Sequence, residues 1–157
     1  MFIDANIFTY LITGHPIYGR KCQQLLEKVE SGDLEASISP LVIDEVSYVL
    51  MFQTAKKAGG SQDARSIKRA MMADWQECLA PVGEFYEYVD LLISTGYLKV
   101  LSLDYSISRI ALKCAREYNL LPRDALHAAC CKAYGISEIA TNDGDFKRVS
   151  FLTMWKP

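Results

Sequence analysis

The chain has 157 residues, half of them hydrophobic and 23% charged, which excludes disordered, collagen-like and low-complexity classes and is enough for one domain with its own core. With 17 basic and 19 acidic residues the net charge is −2, so bulk positive charge does not mark a nucleic-acid binder, and any such role must rest on where the charges sit. In chain order, the apolar run Met1-Phe2-Ile3 stops at Asp4 and reads as a buried strand. Residues 5–13 read as a short helix ending at Gly14. After His15-Pro16, Cys22, Leu25, Leu26 and Val29 keep helical spacing up to Ser31-Gly32. Residues 35–38 read as a second strand. Ser39-Pro40 then starts a helix, since Ser caps free amides and Pro fits the first helical position. Its stripe of Val42, Val46, Val49 and Leu50 runs until Gly59-Gly60. Residues 61–79 read as another helix closed by Pro81, and residues 84–94 as a further helical piece. The third strand, residues 97–103, stops at Asp104. Ile107, Ile110, Ala111, Cys114, Ala115 and Tyr118 form the most regular helical stripe in the chain. Leu121-Pro122 opens a helix through Tyr134, residues 137–141 are a fourth strand, Asn142 to Asp145 a turn, and residues 151–153 a last short strand.

Strands separated by helices predict an α/β sandwich around a parallel sheet. The expectation is one domain over residues 1–157, with a helical insertion around residues 52–83. The cysteines Cys22, Cys78, Cys114, Cys130 and Cys131 are odd in number, lack C-x-x-C spacing and sit among apolar residues. They read as buried reduced thiols, which implies a reducing compartment. No basic leader precedes Met1-Phe2-Ile3-Asp4, and no apolar run approaches the about 20 residues of a membrane span, so cytoplasm is the expected location.

The acids carry the chemistry. Ligands in open parallel sheets bind at the carboxyl ends of the strands. Asp4, Asp104 and Asp143 fall at or just past expected strand ends, Asp124 in the first turn of a helix, and Glu45 in the helix after the second strand. Clustered carboxylates are hard oxygen ligands suited to Mg²⁺ or Mn²⁺, and such ions activate water for phosphodiester hydrolysis. Each acid alone also reads as a surface carboxylate or a helix cap.

Four segments in order then become recognisable. Asp4-Ala5-Asn6 is similar to the opening D-x-N of PIN domains, and Ile43 to Leu50 resembles that family's helix with a metal-binding Glu. Asp124-Ala125-Leu126-His127-Ala128-Ala129 resembles its D-A-x-H-x-A helix, and Thr141-Asn142-Asp143-Gly144-Asp145-Phe146 its T-N-D-x-D-F segment. The resemblance implies a three-layer α/β/α sandwich with a mainly parallel central sheet and a divalent-metal endoribonuclease with Asp4, Glu45, Asp124 and Asp143 as catalytic metal-binding acids. Asp145 would assist Asp143 or stand in for it, while Asn6 and Thr141 orient the ligands or a water. Likeness to VapC-type toxins of VapBC toxin–antitoxin pairs further implies an RNA substrate, an antitoxin partner and a homodimer, with no membrane association. The segment 52–83 is longer than in compact toxins of this kind.

Arg65, Lys68 and Arg69, at i, i+3 and i+4, read first as a solvated helix face and second as contacts for RNA phosphates. Arg123, beside Asp124, is the stronger candidate for touching substrate. His127 reads as a core imidazole with one hydrogen bond, because metal-activated water needs no protein base. Three alternatives use the same residues. A phosphatase with a nucleophilic Asp4 is disfavoured because Asn6 stands where a D-x-D pair needs its second acid. The others are a catalytically silent metal- or RNA-binding domain and a purely protein-interacting one.

Overall fold

The computed structural model describes residues 1–59 and 63–157. Five short strands form one sheet: β1 (Phe2–Ile3), β2 (Ala36–Ile38), β3 (Leu98–Val100), β4 (Glu138–Ala140) and β5 (Thr153–Trp155). Their order is β3-β2-β1-β4-β5, and every pairing is parallel. The intervening helices are α1 (Ala5–Ile12), α2 (Gly19–Glu30), α3 (Pro40–Gly59), α4 (Ala64–Ala73), α5 (Trp75–Ser94), α6 (Tyr105–Tyr118) and α7 (Pro122–Ala133). A 3₁₀ turn, Gly144–Arg148, joins β4 to β5. The expected α/β/α architecture is present.

The topology fixes the layers. From β1 the chain steps outward to β2 and then β3, and it returns across both to place β4 on the far side of β1. Parallel crossovers are right-handed, so reversing direction moves the connecting helices to the opposite face. The helices α1, α3 and α5 pack together on one face, while α6 and α7 pack on each other on the other face. The reversal falls between β1 and β4, and parallel sheets bind ligands at such a switch point. Phe2, Ile3, Ile38, Leu26, Ile139 and Ala140 are fully buried along the sheet, sealed by Phe8, Phe85 and Phe146. All five cysteines are free and buried.

Local chemistry explains most boundaries. Asp4, Asp63, Asp104 and Asp143 each accept a backbone N–H at the start of the following helix or 3₁₀ turn. Asn119 ends α6 in the left-handed conformation, with φ 53°. The expected break at Gly60 and helix start at Ser61 lie outside the described residues. Beyond them the expected single helix over 61–79 divides at Asp74, whose φ of −129° and ψ of 63° are not helical. Pro81 does not close a helix but lies inside α5. Cys78, Val82, Phe85, Val89 and Leu92 form one buried stripe across the proline. At about 1.5–3 kcal/mol per buried large side chain, that stripe outweighs the about 3 kcal/mol an internal proline costs. β3 is shorter than the expected 97–103, and β5 lies two residues beyond the expected 151–153. Among the described residues no helix is long and apolar enough to cross a membrane.

Candidate functional site

Asp4 follows β1 directly, and its backbone N–H donates to Ala140 of β4 (3.0 Å), which fixes it at the carboxyl edge of the sheet. Its side chain is 6% exposed and saturated with donors. Oδ1 accepts from the Ala5 amide at 2.7 Å, while Oδ2 accepts from both Asn6 Nδ2 and the Thr141 hydroxyl. Asn6 also donates to Thr141 Oγ1 (2.9 Å) and accepts from the Asn142 amide (3.1 Å). The loop after β4 is thus laced to the loop after β1. The Asp143 amide donates to Thr141 Oγ1 (3.0 Å), and Asp143 Oδ1 accepts from the Asp145 amide (2.8 Å).

Helices from both faces complete the site. Glu45 comes from the second turn of α3 and Asp124 from the first turn of α7, where the helix dipole favours an anion. His127, one turn further along α7 and 2% exposed, packs its ring on Phe2 and places Nε2 3.2 Å from Glu45 Oε2. Its Nδ1 has no partner among the described residues. A metal-ligating imidazole presents a lone pair to the ion and needs an acceptor for its other N–H. The orphan Nδ1 favours the other tautomer, with Nε2–H donating to Glu45 and a bare lone pair on Nδ1, because a buried unpaired N–H is the rarer defect. One ligand atom each from Asp4, Glu45 and His127 lie within 4.8 Å of one another. That tautomer turns an N–H of the imidazole, rather than a lone pair, towards Glu45, which leaves the carboxylate oxygens as the acceptors of that group.

Asp4, Asn6, Glu45, Tyr48, Arg123, Asp124, His127 and Asp143 line one cleft of about 320 Å³. This is the small end of the ligand-cleft range, about 300–1,000 Å³. Burial is the main cause that pushes the Asp4 carboxyl up, opposed by the hydrogen bonds from Thr141 and the Ala5 amide. Asp124 is also raised, first by burial and then by the charge of Asp143, with smaller contributions from Asp145 and Asp4.

The structure therefore brings Asp4, Asn6, Glu45, Arg123, Asp124 and Asp143 around one cleft, with Thr141 behind Asp4. Asp145 does not line it; its carboxylate pairs with Arg148 at 3.1 Å, within electrostatic reach of Asp124. Arg65, Lys68 and Arg69 lie on α4, and none of them lines the cleft. Asp104 caps α6, and its hydrogen bonds to Ser106 and Ile107 hold its carboxyl below the usual range. Tyr48 was not singled out from the sequence, although its i+3 relation to Glu45 puts both on one helix face. His15, isolated in sequence, stacks on Tyr18 and tilts against Tyr10, and the Tyr10 hydroxyl accepts from Asn142.

The PIN domain family model matches residues 1–152. Ribonuclease VapC6 of Methanocaldococcus jannaschii is 30% identical over 99% of this chain and 96% of its own length. Among solved structures, Mycobacterium tuberculosis VapC20, a toxin that cleaves the sarcin-ricin loop, superposes with a TM-score of 0.59 at 16% identity, covering 96% of this chain and 95% of that one. A toxin–antitoxin complex from Klebsiella pneumoniae superposes at 0.56 and 19% identity, covering 97% and 94%. The two structures share the fold, while the family model and the relative span nearly the whole sequence; this protein belongs to the PIN-domain family.

Proposed function

We propose that this chain is a divalent-metal-dependent endoribonuclease that hydrolyses RNA phosphodiester bonds, acting as the toxin of a toxin–antitoxin pair. The observation that carries the reading is the convergence of four carboxylates, from Asp4, Glu45, Asp124 and Asp143, on one cleft at the sheet's switch point. Two of them, Asp4 and Asp124, are pushed up by burial and by neighbouring negative charge, so the cluster is strained electrostatically without a cation. The donor set fits a hard divalent ion: its oxygens are carboxylates, and the cysteines are buried elsewhere in the core. Mg²⁺ or Mn²⁺ is the inferred ion, held by those four acids.

A divalent ion bound there supplies Lewis-acid activation of water and neutralises charge developing on the scissile phosphate. The chain's own groups do the rest. Asn6 and Thr141 aim Asp4 Oδ2, and His127 holds Glu45 Oε2 with its Nε2–H. The Arg123 side chain, 62% exposed and 3.8 Å from Glu45, is free to reach a phosphate oxygen at the mouth. The N-terminal turn of α7 adds its dipole to the anion-binding side. The antitoxin partner rests on the toxin–antitoxin complex among the structural neighbours, and the homodimer on the resemblance to VapC-type toxins alone.

Labelled single-stranded RNA incubated with the purified chain in Mg²⁺, Mn²⁺ or EDTA tests the activity. The expected result is cleavage that needs metal and is lost in Asp4→Asn and Asp124→Asn variants that retain wild-type circular dichroism. Equal cleavage by wild type and both variants would sink the assignment of the site. RNA retained without cleavage in any metal would favour a silent binding domain.

A further inference from the structure

The side of the cleft formed by α3 has an aromatic ring that the packing does not use. Val42, Val46 and Leu50 of this helix are buried, whereas Tyr48 is 56% exposed. Tyr48 lies one helical turn after Glu45, about 5 Å along the axis, and lines the same cleft beside Val49 and Arg123. Phe52, a further turn along, tilts against it at 6.0 Å and 32°. Phe52 is itself packed against the small cluster of Ala55, Ile67, Met71 and Cys78. The tyrosine is therefore braced by Phe52 while much of its surface stays open.

Charge alone provides little capture. The chain is net negative, and the one arginine in the cleft stands beside four carboxylates. With Arg123 as the basic side chain lining the cleft, few phosphates are neutralised there and few counterions released, so contact that is not ionic has room to contribute. Aromatic stacking does this without regard to base identity, because every base has a π-face. Only an unpaired base can turn its face to such a ring.

Building on the ribonuclease reading, we propose that Tyr48 is a base-stacking residue: it carries the unpaired nucleobase of an RNA nucleotide next to the scissile phosphate, while Arg123 meets the phosphate. The ligand class is single-stranded RNA, and the subsite is a Tyr48 shelf braced by Phe52. A protein side chain could also rest on an exposed tyrosine. Placement inside the carboxylate cleft, rather than on an outer helix face, favours substrate.

The test is steady-state cleavage of a labelled single-stranded RNA in Mn²⁺ by wild type, Tyr48→Phe and Tyr48→Ala, with folding checked by circular dichroism. Tyr48→Phe keeps the ring and is expected to stay within about twofold of wild type in KM. Tyr48→Ala is expected to raise KM about 5- to 100-fold with kcat little changed. Once the cut bond is mapped, an abasic nucleotide placed on either side of it should reproduce the loss in wild type at one of the two positions. It should add nothing there in Tyr48→Ala. An unchanged KM in Tyr48→Ala, or equal KM losses on intact and abasic strands, overturns the subsite and leaves the nuclease standing. No cleavage by wild type in any metal overturns the nuclease reading and this inference with it.

Discussion

Asp4 and Asp124 share the cleft but are held differently, and replacing each by the isosteric amide has opposite consequences for the metal-free chain. The Asp124 carboxyl is raised by burial and by Asp143. A carboxyl with a raised folded pKa contributes stability below its unfolded value, about 3.9, and that contribution disappears as pH rises through the folded value. At neutral pH the ionised group works against the fold. Asp124→Asn is therefore expected to raise the melting temperature in EDTA at pH 7 by about 2 °C, a modest gain because solvent screens the partly exposed group. Scans at falling pH should show the gap between variant and wild type closing. Asp4 accepts three hydrogen bonds, two of them on Oδ2. Burial raises the Asp4 carboxyl as well, so an amide there sheds the same charge, but it turns an N–H towards a donor at a cost of about 1–3 kcal/mol, and Asp4→Asn is expected to destabilise because that mismatch outweighs the relief. For His127, Leu should weaken Mn²⁺ binding about 10- to 100-fold in calorimetric titration, because Glu45 loses the donor that holds it. Gln keeps an N–H at a similar reach and should recover most of the affinity; equal losses in Gln and Leu would mean the ring matters only for packing. The sequence could mark these acids because each sits beside a strand end or a helix start. It could not show that His127 faces Glu45, since residues 82 apart share no local pattern.

At the level of elements, periodicity located the helices and punctuation misplaced some of their ends. Pro81 is a strong local stop signal, yet α5 runs through it because buried residues anchor it on both sides, Cys78 in the cluster beneath α4 and Val82, Phe85, Val89 and Leu92 in the main core. Asp74, an unremarkable residue in sequence, marks the actual break. The strands were legible as apolar runs, but runs such as residues 97–103 overstate a strand that pairs over only Leu98–Val100. The helix α4 packs through its own cluster of Ala55, Ile67, Met71 and Cys78, separate from the main core. Regions with little buried apolar contact open at lower free energy than the core. Amide hydrogen exchange is expected to show the α4 amides exchanging well before those of α7, whose Ala128, Ala129, Cys130 and Cys131 are fully buried. Matched protection in the two helices would show that α4 opens only with the whole molecule.

Across the whole molecule, the fold class and the neighbourhood of the acids were legible because strand–helix alternation dictates a parallel sheet, and parallel sheets put their ligands at one edge. What the sequence could not convey is which helix faces meet over that edge, and so Tyr48 stayed hidden. The strand order has a further consequence, in time rather than in space. The central strand is the first to be synthesised, and one of its two neighbours, β4, is almost the last. The hydrogen bond from Thr141 to Asp4 closes a separation of 137 residues. Contacts of such span are the slowest to form. Asp4 is made with the first strand of the sheet, but the carboxylate cleft stays incomplete until the segment with Thr141 and Asp143 has docked beside it.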